Sequence, residues 1–152
     1  MTTIHTRIAS SDDIDAVAPL FDAYRQFYEQ APDLPLATKF IRDRIRRNES
    51  VIILAEDDDR QALGFCQLYP SFCSVEAVPI YVLYDLFVRP DVRKSGAGTA
   101  LMLAAERHAI RNGFARMDLT TAKTNLAAQS LYQSLGWIRD EVFLTYNKPV
   151  QG

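Results

Sequence analysis

The chain has 152 residues, 48% of them apolar, with mixed charges and a net charge of −2. That length supports a single domain over residues 1–152 whose core needs neither disulfides nor metal, and the charge balance excludes a disordered chain and a sequence-independent grip on nucleic acid. Met1 to Ser10 has no apolar core and no apolar run approaches the roughly 20 residues that span a bilayer, so the expected compartment is cytoplasmic, without membrane partners.

Thr2 to Ala9 alternates as a first strand. Ser10 and Asp13 form a capping pair ahead of Ile14, Val17, Ala18, Phe21, Tyr24 and Tyr28, whose helical spacing predicts a helix ending near Glu29, with Pro19 inside it. A second, amphipathic helix is expected from about Leu36 to Arg47, with Phe40, Ile41 and Ile45 inward and its arginines mostly solvated. Val51 to Glu56 and Ala62 to Tyr69 read as a hairpin joined by the polar turn Asp57-Asp58-Asp59-Arg60-Gln61. Three consecutive aspartates do not converge on one ion, so that triplet reads as turn chemistry. Cys66 and Cys73 have the odd spacing of opposite strand faces and read as buried free thiols. With only His5 and His108 as histidines, the sequence offers no metal site.

Pro70 to Pro79 reads as a loop or ragged strand end. Ile80 to Val88 is the next strand, rich in β-branched and aromatic residues and stopped by Pro90. From Thr99 the period becomes helical, and that helix stops at Asn112-Gly113. Ala115 to Thr121 is a strand, Asn125 to Gly136 a short helix, and Asp140 to Tyr146 a closing strand. The resulting order, β-α-α-β-β-β-α-β-α-β, is a mixed sheet flanked by helices.

Between the strand ending at Val88 and the helix beginning near Thr99 lies Arg93-Lys94-Ser95-Gly96-Ala97-Gly98. Gly96 and Gly98 permit backbone conformations closed to other residues, and the unpartnered NH groups of a first helical turn carry the positive end of the helix dipole. With Arg93 and Lys94 nearby, this turn is built to hold a phosphate or pyrophosphate. Neither the Walker spacing nor the dinucleotide Gly-x-Gly-x-x-Gly is present, which disfavours a general nucleotide-binding module.

Arg-x-x-Gly-x-Gly after a strand ending in Val-Arg-Pro resembles the acyl-CoA-binding motif of the GNAT superfamily of N-acetyltransferases. Asn-x-x-Ala-x-x-Leu-Tyr-x-x-x-Gly-Trp, from Asn125 to Trp137, resembles the fourth-helix motif of the same superfamily, at the right distance from the first. The resemblance extends to Tyr24–Tyr28, Gly64-Phe65 and Tyr84–Val88, and points to the histone- and polyamine-type branch. It implies an α/β (α+β) GNAT fold: a mixed, mostly antiparallel sheet of six to seven strands, four flanking helices, and a splay between the fourth and fifth strands. A β-bulge near Asp85 to Phe87 is expected to open that splay.

By the same resemblance, backbone amides from Arg93 through Lys94, Ser95, Gly96, Ala97 and Gly98 to Thr99 hold the CoA pyrophosphate. Leu86, Phe87 and Val88 line the pantetheine arm, the Phe87-Val88 backbone pairing with it, while Asn125 contacts the cofactor and Tyr132 approaches its sulfur. Tyr28, Glu29, Tyr84 and Asp85 fall on the acceptor side. Tyr84 and Leu86 flank Asp85, where some polyamine enzymes carry two adjacent acids. At Lys94 glycine is frequent in the family. A homodimer is the family expectation.

Acyl transfer suits these residue types. An attacking amine must be neutral, which costs about 4.6 kcal/mol at pH 7 for a group of pKa about 10.4. Asp85 is the candidate for base or for anchor of a cationic acceptor, the anchor being favoured because a solvated carboxylate is a weak base. A backbone NH at Phe87 or Val88 can face the oxyanion, and the Tyr132 hydroxyl can protonate the departing thiolate. The expected function is therefore acetyl-CoA-dependent transfer to a primary amine, whether a small-molecule amine, an amino acid or a lysine side chain, by direct attack in a ternary complex and without metal. The alternative is a catalytically silent CoA-binding regulator.

Overall fold

The helices begin where the sequence supplies caps. In the computed structural model, which describes residues 3–151, Ser10 accepts from the Asp12 NH while the Asp13 carboxylate accepts from the Ser10 NH, so the capping box forms on a 3-10 turn leading into α1 (Ile14–Phe27). Asp33 accepts from the Leu36 NH and starts α2 (Leu34–Arg46) two residues earlier than expected, with Pro35 in the first turn where its missing NH breaks no helical bond. Pro19 is accommodated inside α1. Thr2, the expected first residue of the opening strand, lies outside the described residues.

The strands are β1 (His5–Ile8), β2 (Val51–Glu56), β3 (Ala62–Cys73), β4 (Val78–Val88) and β5 (Arg116–Asp118). They pair in sequence order, antiparallel from β1 to β4 and parallel between β4 and β5, the connection running through α3 (Ala97–Arg111). The stretch from Pro70 to Pro79, expected as a loop or ragged strand end, is the tip of a long hairpin. β3 and β4 remain paired out to Cys73 and Val78, around a turn at residues 74–77. Asp57 accepts from the NH groups of Asp59 and Gln61, so the acidic triplet does serve as turn chemistry.

Strand alternation sorts the core into two layers. Phe65 and Phe87 face α1 and α2, packing with Val17, Leu20, Phe21, Ala37, Ile41, Ile52 and Leu54. Cys66 faces the other way, its Sγ 3.9 Å from the Leu101 carbonyl oxygen of α3. Cys66 and Cys73 are both free, but Cys73 is only half-buried, because its end of the hairpin extends past the core.

The chain divides after Thr120 into two compact units, the whole sheet lying in the first. The second, residues 121–152, contains α4 (Leu126–Ser134), capped by Asn125 and ended near Gly136 at φ +88°. Here the expectation of a closing strand is corrected. Residues 140–146 form no strand, and the sheet has five strands among the described residues rather than six to seven. The Asp140 carboxylate accepts from the NH groups of Val142 and Phe143, tying them into a local turn instead of a ladder.

Candidate active site

β4 changes register at its centre. Gln67 pairs with Asp85 but the next residue, Leu68, pairs with Leu83, so Tyr84 is the extra residue of a bulge, slightly before the expected Asp85 to Phe87. On its other edge β4 pairs with β5 only from Ile80 to Val82. Below the bulge, that edge has no strand partner within the first unit. The Tyr84 carbonyl accepts from the Tyr24 hydroxyl at 3.3 Å, and its exposed ring meets Tyr69 edge-on with centroids 5.6 Å apart.

The bulge determines which backbone groups face the open edge. The Arg89 NH bonds to the Leu63 carbonyl, and a side chain on Gly64 would collide with the Phe87 carbonyl oxygen, so Phe87 and Arg89 both turn toward β3. Strand alternation therefore turns Leu86 and Val88 outward. The expected shared role of Phe87 and Val88 divides accordingly: Val88 has the outward backbone, while Phe87 is a core ring. The Val88 carbonyl already accepts from Arg93 Nε at 3.2 Å, and the Arg93 guanidinium also lies 5.8 Å from the Phe27 ring centroid and 6.0 Å from that of Phe87.

Asp85 is 5% exposed, contrary to the expectation of a solvated carboxylate that favoured an anchoring role. Its Oδ2 accepts from Gln67 Nε2 at 2.7 Å, and the Tyr24 hydroxyl also hydrogen-bonds to it. No cation pairs with it among the described residues. Burial therefore pushes its pKa above the ordinary carboxylate value, against the smaller opposing effect of these two donors. Tyr69, partly buried beside it, is shifted upward by burial and then by the Asp85 charge. The reading from sequence missed Gln67, Ser50 and the Tyr24 hydroxyl. A glutamine between Phe65 and Tyr69 on one strand face was the available signal.

Tyr28 follows α1, stacked edge-on against Tyr24 and Phe27 with centroids 5.2 Å away in each case, and Glu29 is exposed at φ 66°. Both mark the end of the first helix, two residues before the expected end near Glu29.

The glycine turn begins with a 3-10 turn at Pro90–Val92 and ends in the N-terminus of α3. Gly96 has φ +92° and a Cβ there would meet open space, so the backbone angle, not crowding, requires glycine. Lys94 has φ 66°. This left-handed conformation explains physically why glycine would suit that position. Gly98, expected to have special angles, is an ordinary residue of α3. Ser95 Oγ accepts from the Ala97 NH at 3.3 Å, and the helical ladder begins with the Ala100 NH bonded to the Gly96 carbonyl. The Gly98 and Thr99 NH groups consequently lack acceptors among the described residues, and Arg93 and Lys94 add positive charge.

In the second unit, Asn125 Oδ1 accepts from the Ala128 NH at 3.2 Å. The capping bond occupies one lone pair of that oxygen, leaving the amide NH2 and the second lone pair for the expected cofactor contact. Tyr132 stands on α4 with its ring centroid 6.1 Å from that of Trp137. No cluster of three or more potential metal ligands occurs among the described residues, and none of their helices is long and apolar enough to cross a membrane.

Residues 16–137 match the acetyltransferase (GNAT) family. An uncharacterized N-acetyltransferase, YhfO of Bacillus subtilis strain 168, is 44% identical over 143 residues, covering 94% of this chain and 95% of its own. The crystal structure of a probable acetyltransferase superposes with a TM-score of 0.91 at 36% identity, covering 97% of this chain and 99% of the other. The aminoglycoside N-acetyltransferase AAC(6')-Iy in complex with CoA shares the fold, with a TM-score of 0.82 at 18% identity over 99% of this chain and 97% of its own. With the bulged fourth strand and the glycine turn in place, these matches put the chain in the GNAT acetyltransferase family, as an acyltransferase.

Proposed function

We propose that this protein transfers the acetyl group of acetyl-CoA to a primary amine by direct attack in a ternary complex. The observation that carries the reading is Asp85: a buried carboxyl without a cationic partner among the described residues, beside a bulge on the open edge of the fourth strand. An ordinary exposed aspartate is too weak a base for an ammonium, and burial shifts this one in the useful direction.

Asp85 first pairs with the incoming ammonium and then accepts a proton, freeing the nitrogen lone pair. The nitrogen attacks the thioester carbonyl, forming the C–N bond and an oxyanion faced by the outward Val88 NH. Collapse breaks the C–S bond, and the thiolate takes a proton from the Tyr132 hydroxyl, a role carried by its motif. The amide nitrogen gives up its second proton, which restores the tyrosine hydroxyl directly or through solvent. The products are the acetylated amine and CoA.

The pyrophosphate is held by the amides from Arg93 to Thr99, particularly the Gly98 and Thr99 NH groups, and the pantetheine arm runs along Leu86 and Val88. The Asn125 side-chain amide completes the cofactor contacts. Tyr28, Glu29, Tyr84 and Asp85 line the acceptor side, where aromatic faces and two carboxylates suit a compact cation. This supports an acceptor of the kind taken by the histone- and polyamine-type branch, and the CoA complex of a protein with the same fold supports the cofactor. We further read residues 1–152 as one acetyltransferase domain, active in the cytoplasm as a homodimer and independent of metal.

The test is thiol release from acetyl-CoA by purified protein with pooled amino acids, polyamines, aminoglycosides and lysine peptides, against a blank without amine, at mildly alkaline pH. Release dependent on one pool is expected. Tight CoA binding without release in any pool would overturn catalysis and favour a silent regulator.

A further inference from the structure

Gln67 belongs to neither family motif. It is fully buried on the same face of β3 as Phe65, next to the aromatic core, where an amide is tolerated only if both ends are satisfied. Its Oε1 accepts from Ser50 Oγ at 2.8 Å, and its Nε2 donates to Asp85 Oδ2 at 2.7 Å. The result is a polar row running from half-buried Ser50, just ahead of β2, through Gln67 of β3 to buried Asp85 of β4.

The Ser50 contact determines which end of the amide faces Asp85. While the carbonyl accepts from the serine hydroxyl, the NH2 end must point to the carboxylate. A lysine or arginine at this position would neutralise Asp85 and close it to a cationic amine, whereas an apolar side chain would leave it protonated by burial. A neutral donor lies between these extremes. Within the first unit, the other titratable groups that face Asp85 are Tyr24 of α1, Tyr69 of β3 and, across the sheet, Cys66, whose thiol burial pushes up to about 12. Arg44 of α2 and Glu49 act on Tyr69 rather than on Asp85.

We infer that Gln67, oriented by Ser50, is a positioning residue that keeps the buried Asp85 carboxyl ionisable and aimed, so that it can accept the charge and then the proton of the acceptor amine. The inference rests on the proposed role of Asp85.

Its test is a carbon-13 NMR titration of the Asp85 carboxyl in the unmodified protein, Gln67→Met and Ser50→Ala, with the signal assigned by its loss in Asp85→Asn. Thiol release from acetyl-CoA with L-ornithine, spermidine and kanamycin across pH is the second readout. The expected result is an upward shift of the midpoint by about one pH unit in Gln67→Met and by less in Ser50→Ala. The acid limb of kcat/KM should move by the same amount while KM for acetyl-CoA holds. Ser50 is at the half-buried strand start, so its variant decides the matter if Gln67→Met does not fold. A midpoint unmoved in the folded variants overturns the positioning role alone. An acid limb that survives Asp85→Asn overturns the role of Asp85 itself, and with it the inference.

Discussion

The proposed acceptor side and the proposed cofactor side of this molecule are built by opposite means. Around Asp85 the polar groups are buried and mutually bonded, from the Ser50 hydroxyl through the Gln67 amide to the carboxylate, with the Tyr24 hydroxyl in support. In the glycine turn Arg93 to Gly96 are exposed, and the half-buried Gly98 and Thr99 NH groups are left without acceptors among the described residues, behind a backbone bent left-handed at Lys94 and Gly96. Burial tunes a proton affinity; unsatisfied donors wait for an anion. Substitutions at the first site should therefore alter pH profiles and turnover, and substitutions at the second should alter CoA affinity.

The largest expected effect is at Asp85. Asp85→Asn keeps the shape and the Gln67 contact in a new form but removes the base, and kcat/KM should fall by about 10²–10⁴-fold with little change in CoA affinity. Tyr132→Phe should lower kcat by about 10–10²-fold and again spare CoA affinity, because it removes the proton for the departing thiolate. Steady-state kinetics with calorimetric CoA binding check both.

Gly96→Asp should weaken CoA by about tenfold or more, measured calorimetrically, because it places a negative charge at the helix N-terminus and a side chain at φ +92°. Gly96→Ala, which shares the strain but not the charge, separates the two causes. The smallest effect is at Lys94. Lys94→Gly relieves a left-handed residue and should raise stability by about 1 kcal/mol, or Tm by about 2–4 °C, with only a slight, salt-sensitive loss of CoA affinity.

Much of this contrast is written in the sequence, though unevenly. The glycine turn is legible because its chemistry is local: the strand stop at Pro90, two basic residues and the glycines are contiguous. The helix caps at Ser10–Asp13 and Asn125 are legible for the same reason. The Asp85 row is not, since Gln67 and Asp85 come from two strands and Ser50 from the residue before a third, and they meet only through the register of β2, β3 and β4. Burial of Asp85 likewise depends on what packs over it, so the sequence favours a solvated anchor where the fold provides a candidate base.

The closing strand fails for a related reason. Val142, Phe143, Leu144 and Tyr146 have strand propensity, but propensity does not supply a backbone partner, and the Asp140 carboxylate takes the NH groups of Val142 and Phe143. Away from the site, the Arg7–Asp13 pair provides a control for any pH experiment. Arg7 holds the Asp13 carboxyl at about 2, below its ordinary 3.8. A depressed carboxyl stabilises the fold above its unfolded pKa, so stability from this pair should be lost as pH falls from about 4 through about 2. Asp13→Asn should remove that dependence in chemical denaturation, without affecting the activity profile above it.

The pH dependence of kcat/KM for amine-dependent thiol release, compared between the unmodified protein and Asp85→Asn, tests the central claim most directly. Because burial raises the Asp85 pKa and the base form is the ionised one, activity should rise with pH along a limb that lies above the ordinary carboxylate range, and the Asn variant should lack that limb. An identical limb in both proteins would contradict the account and assign the proton to another group.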